Sequence, residues 1–198
     1  MKSFLKLSLI LLSLVCVFYF VSCRGSKSVA ETLVKKPINE SGIKKSNLEL
    51  LSKYGDDRVI FIDFSKPSFT KRLWVIEGDS VLLNTYVSHG EQSGLLYASE
   101  FSNEEGSNKS CVGEFRTLWT YNGKHGLSLK IQGLDETNSN AYSRKIVFHS
   151  AAYATKSFLL QHGYLGRSHG CFATSEEDNQ TIIDLATEKI SIKVLVVS

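Results

Sequence analysis

The run from Leu165 to Ala173 gathers residue types that could do chemistry: Ser168, His169, Gly170 and Cys171 stand consecutively. A cysteine attacks as its thiolate, which needs a neighbouring base or positive charge. A glycine directly before it lets the backbone approach a substrate and aim N–H groups at a developing oxyanion. A base is available upstream in His149, at the end of the apolar run Ile146-Val147-Phe148 that reads as a strand.

The residues alone leave four readings. In the first, Cys171 is a nucleophile and His149 its base, in the reverse chain order to papain-like enzymes. The second is a zinc site from His149, His169 and Cys171, which lacks a fourth ligand and the usual Cys-x-x-Cys pairing. A sortase-like transpeptidase shares the His-then-Cys order, but those enzymes use an arginine soon after the cysteine, and none follows Cys171. The fourth, a buried structural cysteine, sits poorly beside Ser-His-Gly.

The elements that must position this stretch are mostly strands. Val59 to Phe64 is a β-rich run too apolar for an edge, and Lys71–Glu77 and Ser80–Val87 flank a Gly78-Asp79 hairpin turn. Further strands are predicted at Val112–Tyr121, Leu127–Ile131, Arg144–His149 and Ile190–Val197. Helices are predicted at Ser46–Tyr54 with Ser46 as cap, at Thr155–His162 with Gly163 as terminator, and from Ser175. The last carries a capping box, Ser175 with Asp178 or Thr174 with Glu177. The polar segment Ser88 to Ser110 is longer than an idle connection, which suggests a substrate-facing loop. The fold class is therefore mainly β with a few short helices, and the 198 residues allow one domain plus extra sequence.

The extra sequence is N-terminal. Lys2 and Lys6 precede a nearly continuous apolar stretch, Leu7 to Val21, which fits a secretory signal. It ends in Phe20-Val21-Ser22-Cys23, which resembles a bacterial lipoprotein cleavage box with Phe20 at the usual leucine position. Residues 1–23 are thus expected as a signal peptide leaving Cys23 lipidated; an uncleaved anchor or simple secretion are the alternatives, and all three export the domain. Residues 24–45 are expected as a flexible tether and 46–198 as the catalytic domain. A net charge of +3, with no basic helix or RNA-binding motif, argues against a nucleic-acid partner. In an exported domain the remaining Cys111 and Cys171 are either a disulfide or a thiol kept for reactivity.

Ser168-His169-Gly170-Cys171, preceded by a strand ending in His149, resembles the YkuD-like L,D-transpeptidase catalytic domain, in the murein L,D-transpeptidase branch. Supporting blocks are IDFSKPS (62–68), KRLWVI (71–76), SHG (88–90), GSNKSCVGEFRT (106–117), GKHGLSL (123–129), NAYSRKIVFHSAAY (140–153) and LGRSHGC (165–171). The resemblance implies a β-sandwich or barrel in the bacterial cell envelope. It implies attack by Cys171 on peptidoglycan tetrapeptide stems, with no metal or cofactor. His149 would be the general base, Ser150 would orient its imidazole through the backbone carbonyl, and His169, Gly170 and Cys171 would form the oxyanion turn. Arg167, Ser168, His125 and His89 are expected as substrate-groove residues. Many members carry Asn or Arg two positions after the cysteine; here that position is Ala173. The rival from another class is a non-catalytic envelope lipoprotein that binds peptidoglycan in a degenerate groove.

Overall fold

The all-apolar run near residue 60 forms the strand around which the sheet is built. In the computed structural model, which describes residues 28–198, every residue of β2 (Arg58–Asp63) is buried. A strand hidden on both faces reads as a continuous hydrophobic run rather than an alternation. The chain from Leu33 onward makes one unit; the single turn α1 (Val29–Thr32) belongs to another.

Around β2 lie β1 (Lys36–Pro37), β3 (Leu73–Glu77), β4 (Ser80–Thr85), β5 (Gly113–Gly123), β6 (Gly126–Gly133), β7 (Val147–Ser150), β8 (Phe172–Thr174) and β9 (Lys193–Val197). They join in one nine-stranded mixed sheet, ordered β1-β4-β3-β2-β9-β5-β6-β7-β8. The pairs β2–β9 and β7–β8 are parallel and the rest antiparallel. The fold is mainly β, as expected, in the form of this single sheet.

Helix α2 (Lys45–Leu51) covers one patch, placing Leu51 with Val59, Phe61, Trp74 and Ile76 in a core cluster that Leu48 and Tyr54 edge. Its predicted cap is wrong by two residues: Lys44 precedes the helix and no side chain caps it. Helix α3 (Lys156–His162) is capped by Thr155 Oγ1, which accepts from the Phe158 amide at 3.1 Å, and ends at Gly163 in the left-handed conformation. Helix α4 (Glu176–Thr187) packs Ile182, Ile183, Leu185 and Ala186 inward. Of its two possible capping boxes the chain uses Ser175, whose hydroxyl accepts from the Asp178 amide at 3.2 Å.

Two expectations change here. The folded unit takes in most of the expected tether: Lys36–Pro37 pairs with β4, and Ile38 and Ile43 pack into the core cluster. The three-residue β8, directly after Cys171, falls where the sequence reads only as a loop leading into a helix. The expected signal segment and Cys23 lie outside the described residues.

Candidate active site

The residue after Cys171 fixes where the thiol stands. Phe172 is fully buried, with ring centroids 5.2 Å from Phe148, 5.8 Å from Phe115 and 6.1 Å from Phe64. Its strand runs parallel to β7 in a register that pairs Phe148 with Phe172 and His149 with Ala173. The strand carrying His149 and the strand that follows Cys171 are therefore neighbours. Ala173 is also fully buried, its carbonyl accepting from the Ser88 amide at 2.8 Å. A polar side chain there would be buried in the sheet.

His149 is 2% exposed, and its Nδ1 lies 2.9 Å from the Ser150 carbonyl. A carbonyl only accepts, so Nδ1 carries the proton and Nε2 is the basic nitrogen. The Ser150 carbonyl fixes the orientation of the ring. His125, on the β5–β6 turn, stacks on His149 with centroids 4.4 Å apart and planes at 26°.

The turn holding Gly170 is locked from several sides. Ser168 is nearly buried; its Oγ donates to the Cys171 carbonyl at 2.7 Å and accepts from the Gly170 amide at 3.1 Å. Its own amide donates to the His89 carbonyl at 2.9 Å, and its carbonyl accepts from the Glu91 amide at 2.7 Å. Behind the turn, Ser110 Oγ donates to the Gly170 carbonyl at 3.1 Å. Arg144 donates to the carbonyls of Lys109 at 2.6 Å and Ser102 at 2.5 Å. The segment expected to face substrate is thus in large part the buttress of the Gly170 turn, and Arg144 ties it there. Ser168 lines the groove with its hydroxyl engaged within the turn.

His89 is a correction. It is fully buried and absent from the groove lining, with Nδ1 accepting from Arg72 at 2.7 Å and Nε2 donating to the Gly94 carbonyl at 3.1 Å. Burial, then the nearby Arg72 charge, hold its pKa down to about 4 against an ordinary 6.5. The unfolded chain takes up a proton near 6.5 while the folded one stays neutral to about 4. Stability therefore falls as pH drops through that window. The expected loss is about 3 kcal/mol between neutral pH and pH 4. It is read as a lowered urea midpoint, and His89→Gln should flatten the dependence. Equal midpoints at the two pH values would contradict this role.

The thiol and the base are a neutral pair at rest. Burial raises the Cys171 pKa, against smaller lowering effects from the Val147 amide and Arg144. Burial lowers that of His149 despite the Ser150 contact, and His125 lowers it further. The thiol donates to the Lys145 carbonyl at 3.5 Å. This arrangement suits a base that takes the proton as attack occurs, since catalytic contacts often tighten only around substrate.

Cys171 and His149 open on a groove of about 390 Å³ that His125, Arg167, His169 and Tyr153 also line. Its charged lining side chains, Lys124, Arg144, Lys145 and Arg167, are all cationic. Arg167 donates to the carbonyls of Glu91 at 3.1 Å and Gly94 at 3.3 Å, and exposed His169 lies 3.6 Å from Glu91 Oε1. Cys111 and Cys171 are both free, so the disulfide alternative is not realised. Among the described residues no group of three His, Cys, Asp or Glu side chains could hold a metal ion.

Over residues 29–194 the sequence matches the family model for the L,D-transpeptidase catalytic domain. The chain belongs to that family. Its members are peptidoglycan-acting enzymes of the cell envelope. No curated protein matches the chain by sequence. It is similar to an L,D-transpeptidase from Mycobacterium smegmatis (15% identity, TM-score 0.46), with 72% of this chain covering 59% of that one. It is also similar to one from Xylanimonas cellulosilytica (16% identity, TM-score 0.42; 78% of this chain, 70% of that one). A third is the helical cell shape determining protein Pgp2 from Campylobacter jejuni (13% identity, TM-score 0.45; 74% of this chain, 52% of that one).

Sequence reasoning missed Lys124, Lys145, Tyr121 and Tyr153 as groove residues. Each lies within one or two positions of a residue it had singled out or on the hairpin beside one, but only strand pairing brings them together. The Arg144 guanidinium is given to loop carbonyls.

Proposed function

We propose that this protein is an exported cysteine L,D-transpeptidase acting on peptidoglycan stem peptides. The observation that carries the reading is the shared groove. A thiol and a tautomer-fixed imidazole line it, and its charged side chains are all cationic, matching a carboxylate-rich stem. Cys171 Sγ attacks the diaminopimelate carbonyl of a tetrapeptide stem as His149 Nε2 takes the thiol proton. The resulting oxyanion is met by the amides of His169 and Cys171, because the Gly170 amide is committed to Ser168 Oγ. Collapse breaks the C–N bond to D-Ala, whose amine leaves with the proton from His149, and a thioester remains. A side-chain amine of a second stem then attacks the thioester, passing its proton to His149. The product is a 3→3 cross-link and the thiol is regenerated. Water in place of the amine trims D-Ala only. The lysine–apolar–Cys23 pattern supports export with a lipid on Cys23.

Full-length protein in detergent, incubated with tetrapeptide muropeptides, should release D-Ala detectable by mass spectrometry, and Cys171→Ala should not. Cross-linked dimers would identify transfer, and tripeptide alone would identify trimming. If wild type releases nothing yet binds the muropeptide, the non-catalytic binding lipoprotein is the better reading.

A further inference from the structure

Beside the groove is a second hollow that the chemistry above does not use. Between Thr117, paired with Ile131, and Thr120, paired with Leu129, strand β5 carries an extra residue. Leu118 and Trp119 therefore face the single Lys130. Bulges of this kind re-aim side chains beside functional sites. The Lys130 ammonium sits 5.2 Å from the Trp119 ring centroid, 5.2 Å from Tyr121 and 5.3 Å from Tyr142. Trp119 is 54% and Tyr142 45% exposed. Single exposed aromatics are ordinary, but three rings converging on one cation form a built surface.

The hollow measures about 250 Å³, with Ile131 and Ile146 among its lining, and Tyr121, Lys145 and Val147 line both it and the catalytic groove. Lys145 also has a positive φ of 59°, a conformation that is strained for a non-glycine residue and clusters at functional sites. Its carbonyl receives the Cys171 thiol. One strained residue thus adjoins both the nucleophile and the aromatic hollow.

We propose that this hollow binds an N-acetylated pyranose of the glycan strand that bears the stem peptide; this rests on the peptidoglycan reading. A pyranose offers a C–H face to the electron-rich face of an aromatic ring. Lys130 supplies donors for its oxygens and for the stem carboxylate nearest the sugar. Lys130 already fills the cation position among the rings, and no acidic side chain lines the hollow, so a cationic ligand is not matched. The volume suits one ring rather than a chain. Three stem residues separate the sugar from the attacked carbonyl, about 10 Å of extended chain, which suits adjoining hollows.

The test uses full-length Cys171→Ala protein, in which nothing turns over. Of the two tryptophans, Trp74 is 1% exposed, so ligand-sensitive emission reports on Trp119. Titration with peptide-free N-acetylglucosaminyl-N-acetylmuramic acid oligomers should change emission saturably. Trp119→Leu should abolish that change, and Tyr142→Ala should weaken binding about tenfold. In protein with Cys171 intact, kcat/KM should favour a muropeptide over the free tetrapeptide by about tenfold. Trp119→Leu should remove that preference with the free-tetrapeptide rate unchanged. No emission change, or equal kcat/KM for the two substrates, overturns the sugar site and leaves the enzyme reading intact. Emission changes without D-Ala release from either substrate support the sugar site and defeat the enzyme reading.

Discussion

His149→Ala is expected to lower kcat/KM for D-Ala release by about a thousandfold, near the middle of the range for a positioned general base. The reason is the resting state of the pair. Burial raises the Cys171 pKa and lowers that of His149, so the protein holds thiol and imidazole rather than thiolate and imidazolium. Without His149 little nucleophile exists at neutral pH. The pH profile should follow the same logic. A neutral base is required, and its pKa is depressed, so the acid limb of wild type lies below the ordinary histidine value of 6.5. In His149→Ala that limb should vanish, and the residual rate should climb on the alkaline side as the thiol ionises unaided. A wild-type acid limb above the ordinary histidine value would contradict a general base whose pKa is depressed by burial.

The second large effect is expected from one methyl group. Gly170 has φ of +114°, and a Cβ there would lie 2.7 Å from the Lys109 carbonyl oxygen and 2.9 Å from Ile146 Cδ1. Neither neighbour can easily give way. Arg144 holds the Lys109 carbonyl at 2.6 Å, and Ile146 is 2% exposed. Gly170→Ala therefore adds backbone strain of about 1–3 kcal/mol to an overpacking cost of similar size. For a domain of this size a loss of about 4 kcal/mol lowers Tm by roughly 10 °C. Relieving the clash also moves the amides that meet the oxyanion, and misplacing one such donor costs about a hundredfold to a thousandfold in kcat. Calorimetry and D-Ala release at 25 °C, where the variant is still folded, separate the two effects. Wild-type kcat in Gly170→Ala would mean the turn does not position the oxyanion.

Much of this was legible in the sequence. Strand β2 announced itself because burial on both faces leaves an unbroken apolar run, and α3 and α4 because Thr155, Ser175 and Gly163 are strong local signals. His149 and Cys171, both singled out in the sequence, line one groove because β8 pairs with β7. What failed was non-local. Strand β8 is three residues long, too short for any period, and exists because β7 lies beside it. Ser46 has the right chemistry for a cap, but the helix begins at Lys45, and Ile43 and Leu51 pack where the core allows. His89 looked like a groove residue because it precedes a glycine in a loop, yet its imidazole is spent on Arg72 and Gly94. His125 looked the same in sequence, and the β5–β6 turn stacks it on His149. The difference between them lies wholly in which strands meet.

The most direct test of the central claim is to look for the covalent intermediate. Full-length protein is mixed with a tetrapeptide muropeptide lacking any acceptor amine, quenched in acid within seconds, digested and mapped by mass spectrometry. The account predicts an adduct on Cys171 equal in mass to the muropeptide less D-Ala, labile to hydroxylamine and absent from Cys171→Ala. D-Ala release with no acyl group on Cys171, or with the group on another residue, would contradict it.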